Sequence, residues 1–151
     1  MDLEFAVAML VGYALTVLIE GSVLYVALSR RHPPAVRLYA GVWLTACTYP
    51  VVWLVLPAWF VDRTAYLLVA ETFAPAAECA VFWFAFIRPI AKRPVEIEQD
   101  EWSVVPVEKP DPRRATRRDL AAVVAANLCS FGFGELLHAT GGFERLLGAV
   151  L

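Results

Sequence analysis

The stretch LYAGVWLTACTYPVVWLVLPAWFV, residues 38–61, contains no charged side chain. A helix rises about 1.5 Å per residue, so roughly 20 such residues cross the hydrocarbon core of a bilayer. Three further stretches read the same way. Residues 3–28 are apolar apart from Glu4 and Glu20, residues 65–87 apart from Glu71 and Glu78, and residues 120–137 apart from Glu135. Core helices of a water-soluble protein would show a charged face every few residues, and these do not. The sequence therefore predicts an all-α integral membrane protein with four transmembrane helices in one domain.

Composition agrees. The 151 residues are 60% hydrophobic and 19% charged, where a soluble domain is about 25% charged. This composition argues against a soluble globular enzyme and excludes a disordered or collagen-like chain. The first stretch begins with Asp2 and Glu4 and is followed by Ser29-Arg30-Arg31. A secretory leader wants a basic start and a small-residue cleavage site, so a retained helix is expected.

Orientation follows from Lys and Arg. The first loop carries Arg30, Arg31 and Arg37. The third, residues 89–119, carries its own set ending in Arg113, Arg114, Arg117 and Arg118. Together with Arg88 at its edge, these two loops hold 11 of the 13 basic residues, leaving Arg63 and Arg145 on the other side. Loops one and three are expected in the cytoplasm of an inner membrane, with both termini outside. The net charge of −2 then divides into +4 on the cytoplasmic side, −2 outside and four glutamates within the spans.

In the third loop, Pro94, Pro106, Pro110 and Pro112 argue against a continuous helix. An acidic cluster (Glu96, Glu98, Asp100, Glu101) precedes the basic one, and Trp102 to Val105 suit a short strand or a membrane contact. The basic cluster reads as a topology signal at the foot of the fourth span. Beyond Gly141-Gly142, Phe143, Leu146, Leu147, Val150 and Leu151 recur at helical spacing. This predicts an amphipathic helix over 141–151 on the outer surface.

The spans carry an internal similarity. EGSVLYVALSR (residues 20–30) aligns with ECAVFWFAFIR (78–88), sharing Glu, Val, Ala and Arg. TACTYP (45–50) aligns with NLCSFG (127–132), sharing Cys and pairing Thr48 with Ser130 and Tyr49 with Phe131. Both relate span one to three and span two to four. The expectation is two tandem, parallel two-helix repeats about a pseudo-two-fold axis along the membrane normal. Glu20 and Glu78 would then lie near midplane with Thr45, Thr48, Asn127 and Ser130 as a polar belt. Glu71 and Glu135 would lie further out, with His138 a turn beyond.

An ionisable residue inside a span is a functional hypothesis by default. No Lys or Arg lies in the spans to pair these four carboxyls. A proton- or cation-coupled transporter or channel is the leading expectation. Glu20, Glu78, Glu71 and Glu135 would bind the ion or proton, and Thr45, Thr48, Asn127 and Ser130 would line the path. Pro50, Pro75, Gly132 and Gly134 would let helices kink beside it. Four helices leave little room for a pathway, so a homo-oligomer is expected. The alternative use of such carboxyls is as glue between helices, which suits a non-catalytic subunit or scaffold of a larger membrane complex. A third reading is a metal enzyme built on Glu135-x-x-His138, although that motif normally occurs twice. Cys47, Cys79 and Cys129 form no Cys-x-x-Cys and read as small packing residues, Cys47 and Cys129 being related by the axis. No glycine-rich phosphate loop, nucleophile elbow or nucleic-acid module is present. Neither a cofactor nor a nucleic-acid partner is expected; the lipid bilayer is.

Overall fold

The computed structural model describes residues 3–91 and 111–150, and all regular structure within them is helical. Helices α1 (Leu3–Ala27), α2 (Pro34–Trp59), α3 (Arg63–Ile87) and α4 (Pro112–Ala139) are each long and apolar enough to cross a membrane. A short α5 (Gly142–Val150) follows. The segment Trp102 to Val105 and the acidic cluster from Glu96 to Glu101 lie outside the described residues.

The bundle is four-cornered. α1 packs on α2 and α4, and α3 packs on the same two, so α1 and α3 face each other across a diagonal. Helix ends are set by local chemistry. Asp62 caps α3 by accepting from the Ala65 amide at 2.8 Å. Asp111 caps α4 by accepting from the Arg113 amide at 2.9 Å. α4 thus starts before the apolar stretch does, and Arg113 to Arg118 are helical where a loop was expected. Pro112 permits this because the first helical residue has no intrahelical N–H bond to lose. At the other end of α4, Gly141 adopts φ 64° and its amide bonds the His138 carbonyl at 3.2 Å, a left-handed ending suited to glycine.

Two basic residues also terminate α1. Arg37 donates to the carbonyls of Tyr25, Ser29 and His32, and Arg118 donates to that of Ala27. The Tyr25 and Ala27 carbonyls are among those a helix end leaves unpaired, where a cation also complements the helix dipole, and the Ser29 and His32 carbonyls belong to the α1–α2 turn.

Pro50 sits inside α2, and the turn after it, Val51–Val55, is a wider π-turn in which the Leu56 amide reaches back to Val51. α3 has a second such turn at Trp83–Ile87. Single π-turns are uncommon and cluster at functional sites. The first one carries Val52 and Trp53 to a cavity wall.

The buried apolar residues lie almost entirely in one half of the bundle, at the end bearing the α1–α2 turn. Leu24, Leu28, Ala40, Leu44, Phe82, Ile87, Ala122, Val123 and Ala126 form that core. Large apolar side chains such as Leu10, Leu18, Val26 and Leu68 point outward, as lipid-facing residues do.

α1 and α2 cross in near backbone contact. A Cβ added at Gly41 would lie 2.6 Å from the Gly21 Cα, whereas one added at Gly21 meets nothing within 4 Å. Gly41→Ala should therefore destabilise the protein by about 1–3 kcal/mol through overpacking. Gly21→Ala should change stability by no more than about 0.5 kcal/mol. Thermal unfolding of both variants in detergent checks this, and equal effects would contradict the crossing geometry.

Candidate functional site

Midway along the bundle, two carboxyl groups are enclosed by all four helices. Glu20 on α1 is 3% exposed and Glu78 on α3 is 2% exposed. Among the described residues, neither has a cation beside it. Each is satisfied instead by neutral donors from the two neighbouring helices. Glu20 accepts from the Thr45 hydroxyl at 2.6 Å and the Ser130 hydroxyl at 2.7 Å. Glu78 accepts from the Thr48 hydroxyl at 2.7 Å and the Asn127 amide at 2.7 Å. All six residues expected to form a midplane group are brought together.

The spacing explains the pattern. Thr45 and Thr48 are three apart on α2, and Asn127 and Ser130 three apart on α4, so each pair shares a helix face. One face of each helix thereby serves both glutamates.

The hydroxyls have a second outlet. Thr45 also lies 2.8 Å from the Gly41 carbonyl, and Ser130 lies 2.9 Å from that of Asn127. A hydroxyl has one proton to donate and lone pairs to accept with. With Glu20 ionised, Thr45 and Ser130 turn their protons toward it. With Glu20 protonated, its own O–H donates to one hydroxyl, which turns its proton to the backbone carbonyl. Both charge states fit the same heavy-atom positions. Glu78 differs, because the Asn127 nitrogen donates only; an added proton belongs on the oxygen facing Thr48.

Toward the end bearing the chain termini, the glutamates lie at the foot of a cavity of about 190 Å³ whose walls include Tyr49, Trp53, Tyr66 and Glu71. A second cavity of about 330 Å³ shares Thr16, Tyr49, Trp53, Tyr66 and Ser130 with it and extends to Arg63, Glu135 and His138. Toward the opposite end, the apolar core closes the bundle. The polar pair thus marks the boundary between a packed half and a hollow one.

Of the two outer glutamates, Glu71 is half-buried on the cavity wall and makes no hydrogen bond or ion pair among the described residues. Glu135 is engaged by Arg63 at 3.0 Å, with both side chains substantially exposed. His138 is exposed and its nearest acidic partner is Glu144 at 4.0 Å. Among the described residues, no group of three or more His, Cys, Asp or Glu side chains is placed to hold a metal ion, and Glu135 and His138 do not converge on one. Cys47 and Cys129 are free and exposed. They face outward because the inward face of each helix is taken by Thr45 and Thr48, and by Asn127.

A second polar cluster was not read from the sequence. Asp119, fully buried at the end of the bundle away from the termini, accepts from the Ser29 amide at 2.6 Å and the Ser29 hydroxyl at 3.0 Å. It also pairs with Arg31 at 2.6 Å and with the buried His32 at 3.0 Å. A carboxylate only accepts, so His32 presents a protonated Nε2 to it. The cluster ties the α1–α2 turn to α4 and seals the packed half. The available signal was an acidic residue directly after Arg117-Arg118 at the start of an apolar run.

No family model matches the chain, and no curated protein or solved structure was found to be significantly similar to it.

Removing one partner of a buried ion pair leaves the other uncompensated, whereas exposed pairs contribute little. Asp119→Ala should therefore lower stability by about 3–5 kcal/mol, and Glu135→Ala by no more than about 1 kcal/mol. Comparing unfolding of the two variants in detergent tests this ranking, and a reversed order would refute it.

Proposed function

We propose that this protein is a proton- or cation-coupled transporter or channel of a bacterial-type inner membrane, in which Glu20 and Glu78 bind and release the coupling ion. The observation that carries the reading is the placement of two buried carboxyls at the foot of a one-sided cavity, supplied by hydroxyls able to serve either protonation state. Polar groups that serve only as glue between helices need no cavity. By the distribution of Lys and Arg the hollow half faces outside and the packed half the cytoplasm, which makes this arrangement an outward-open one.

A duplicated origin is part of the proposal. Exchanging Glu20 with Glu78, Thr45 with Asn127 and Thr48 with Ser130 maps the four hydrogen bonds onto one another. This supports two parallel two-helix repeats about an axis along the membrane normal. Opening the packed half would require separating the apolar core and the Asp119 cluster, with Pro50 and the π-turns as the yielding points. The small bundle, whose four helices leave little room for a pathway, favours a homo-oligomer in the membrane.

The competing reading, a non-catalytic subunit or scaffold, is favoured by the complete satisfaction of both carboxyls. Reconstitution separates the two. In proteoliposomes carrying a pH or cation gradient, the wild type should dissipate the gradient. Glu20→Gln and Glu78→Gln, which keep the side-chain shape, should retain the helical circular-dichroism signal and lose at least about tenfold in flux, which is about 1.4 kcal/mol in a rate barrier. Absence of flux in the wild type, with the fold intact, rejects transport and leaves the scaffold reading.

A further inference from the structure

The outer cavities contain features that holding a proton on Glu20 or Glu78 does not require. One is a preformed aromatic wall. The Tyr49 and Trp53 rings stack at 5.6 Å, with Tyr13 edge-on to Tyr49 at 5.4 Å and Phe5 edge-on to Trp53 at 6.0 Å. Tyr66 joins this wall, its hydroxyl donating to the Val52 carbonyl at 3.3 Å. The second feature is Glu71, a carboxyl on the same cavity with no hydrogen bond or ion pair among the described residues. The third is the fixed seating of Tyr49. Tyr49 is 9% exposed, and its fully enclosed hydroxyl holds the ring in the wall. It lies against Gly12, where an added Cβ would collide with it, and both residues line the outer cavity.

Polar groups away from bulk water are nearly always paired, so a half-buried carboxyl on a cavity wall that no neighbouring donor serves points to a ligand that brings one. The other carboxyls near it already have partners. Glu135 is neutralised by Arg63, and Glu20 and Glu78 are each filled by two donors within 2.7 Å. An inorganic cation needs several oxygen ligands converging at 2.0–2.6 Å. Glu20, Glu71 and Glu78 line this cavity, but among the described residues they do not converge as a group that could hold a metal ion, and the outer wall offers one free carboxylate among aromatic rings. That wall suits a cation with an apolar body, because ring faces attract positive charge and accept hydrocarbon. The cavity at Glu71, at about 190 Å³, has room for roughly six waters at liquid density. That is the scale of a small organic ion.

We propose that the cavity between Glu71, Tyr49, Trp53 and Tyr66 binds a small organic ammonium ion. Its N–H groups donate to Glu71, and its hydrocarbon lies against the wall formed by Tyr49, Trp53 and Tyr66. The site names the class of cation within the transport reading and rests on it only for the purpose of the binding, since binding itself requires no flux.

The experiment uses the full-length protein in phosphatidylcholine nanodiscs, with phenethylammonium as probe and the uncharged 2-phenylethanol as its matched control. Empty nanodiscs correct for partition into lipid. Saturable one-to-one binding of the ammonium ion is expected by calorimetry, with none of the alcohol. Glu71→Gln should weaken binding at least tenfold, and Trp53→Leu several-fold, with the helical circular-dichroism signal retained. Glu144→Gln, away from the cavity walls, should leave affinity within twofold. Equal binding of the alcohol, wild-type affinity in Glu71→Gln, or displacement of the probe by equimolar sodium or magnesium chloride would each overturn the proposal. The two readings fail separately. Proton flux without ammonium binding removes the ammonium site alone, and ammonium binding in a wild type without flux removes transport alone.

Discussion

Two carboxyl groups placed in the middle of an apolar bundle must find hydrogen-bond donors there, and this requirement organises the molecule. Lipid supplies none, and an unsatisfied polar group in a dry interior costs several kcal/mol. Glu20 and Glu78 stand on diagonal helices, and the donors Thr45, Thr48, Asn127 and Ser130 stand on the other diagonal. Each glutamate takes one donor from α2 and one from α4, so four bonds join all four helices. Such bonds contribute only about 0.6–2 kcal/mol each in membranes. Their larger effect is on register, since a one-residue rotation of α2 or α4 would take one of its two donors from each glutamate.

The level at which those bonds form divides the bundle physically. On one side, Leu24, Leu44, Phe82 and Val123 interlock with no more than 1% exposure, and Asp119 closes the end with Ser29, Arg31 and His32. On the other side, aromatic rings stack on each other rather than across the bundle axis, and space remains between the helices. Small residues act differently in the two halves. Gly41 lets α1 and α2 touch beside Glu20, which helps bring Thr45 within reach, whereas Gly12 makes room for the Tyr49 hydroxyl beside the cavity.

Much of this was legible in the residues. Uninterrupted apolar runs identified the four helices, because the bilayer imposes a length and a composition that few soluble segments meet. The group formed by Glu20, Glu78, Thr45, Thr48, Asn127 and Ser130 was also legible, since polar residues in a membrane span must point at one another. Other features were not. Asp119 sat among arginines that looked like a topology signal, and His32 in what looked like an exposed turn. Both are buried because the turn folds back onto α4. Arg63 was assigned to a loop and Glu135 to the ion-binding set, yet they meet across 72 residues of sequence.

The sequence by itself determined that the chain is helical, that four helices suit a membrane, and where their polar residues fall along each helix. These properties depend on period, length and charge, which are local. Tertiary structure alone decided which donor serves which glutamate, which half is packed and which hollow, and which of the outer carboxyls is left without a partner. Those outcomes depend on how helices rotate and cross, and that is set by contacts between residues far apart in the chain, such as Gly21 against Gly41 and Asp119 against Ser29.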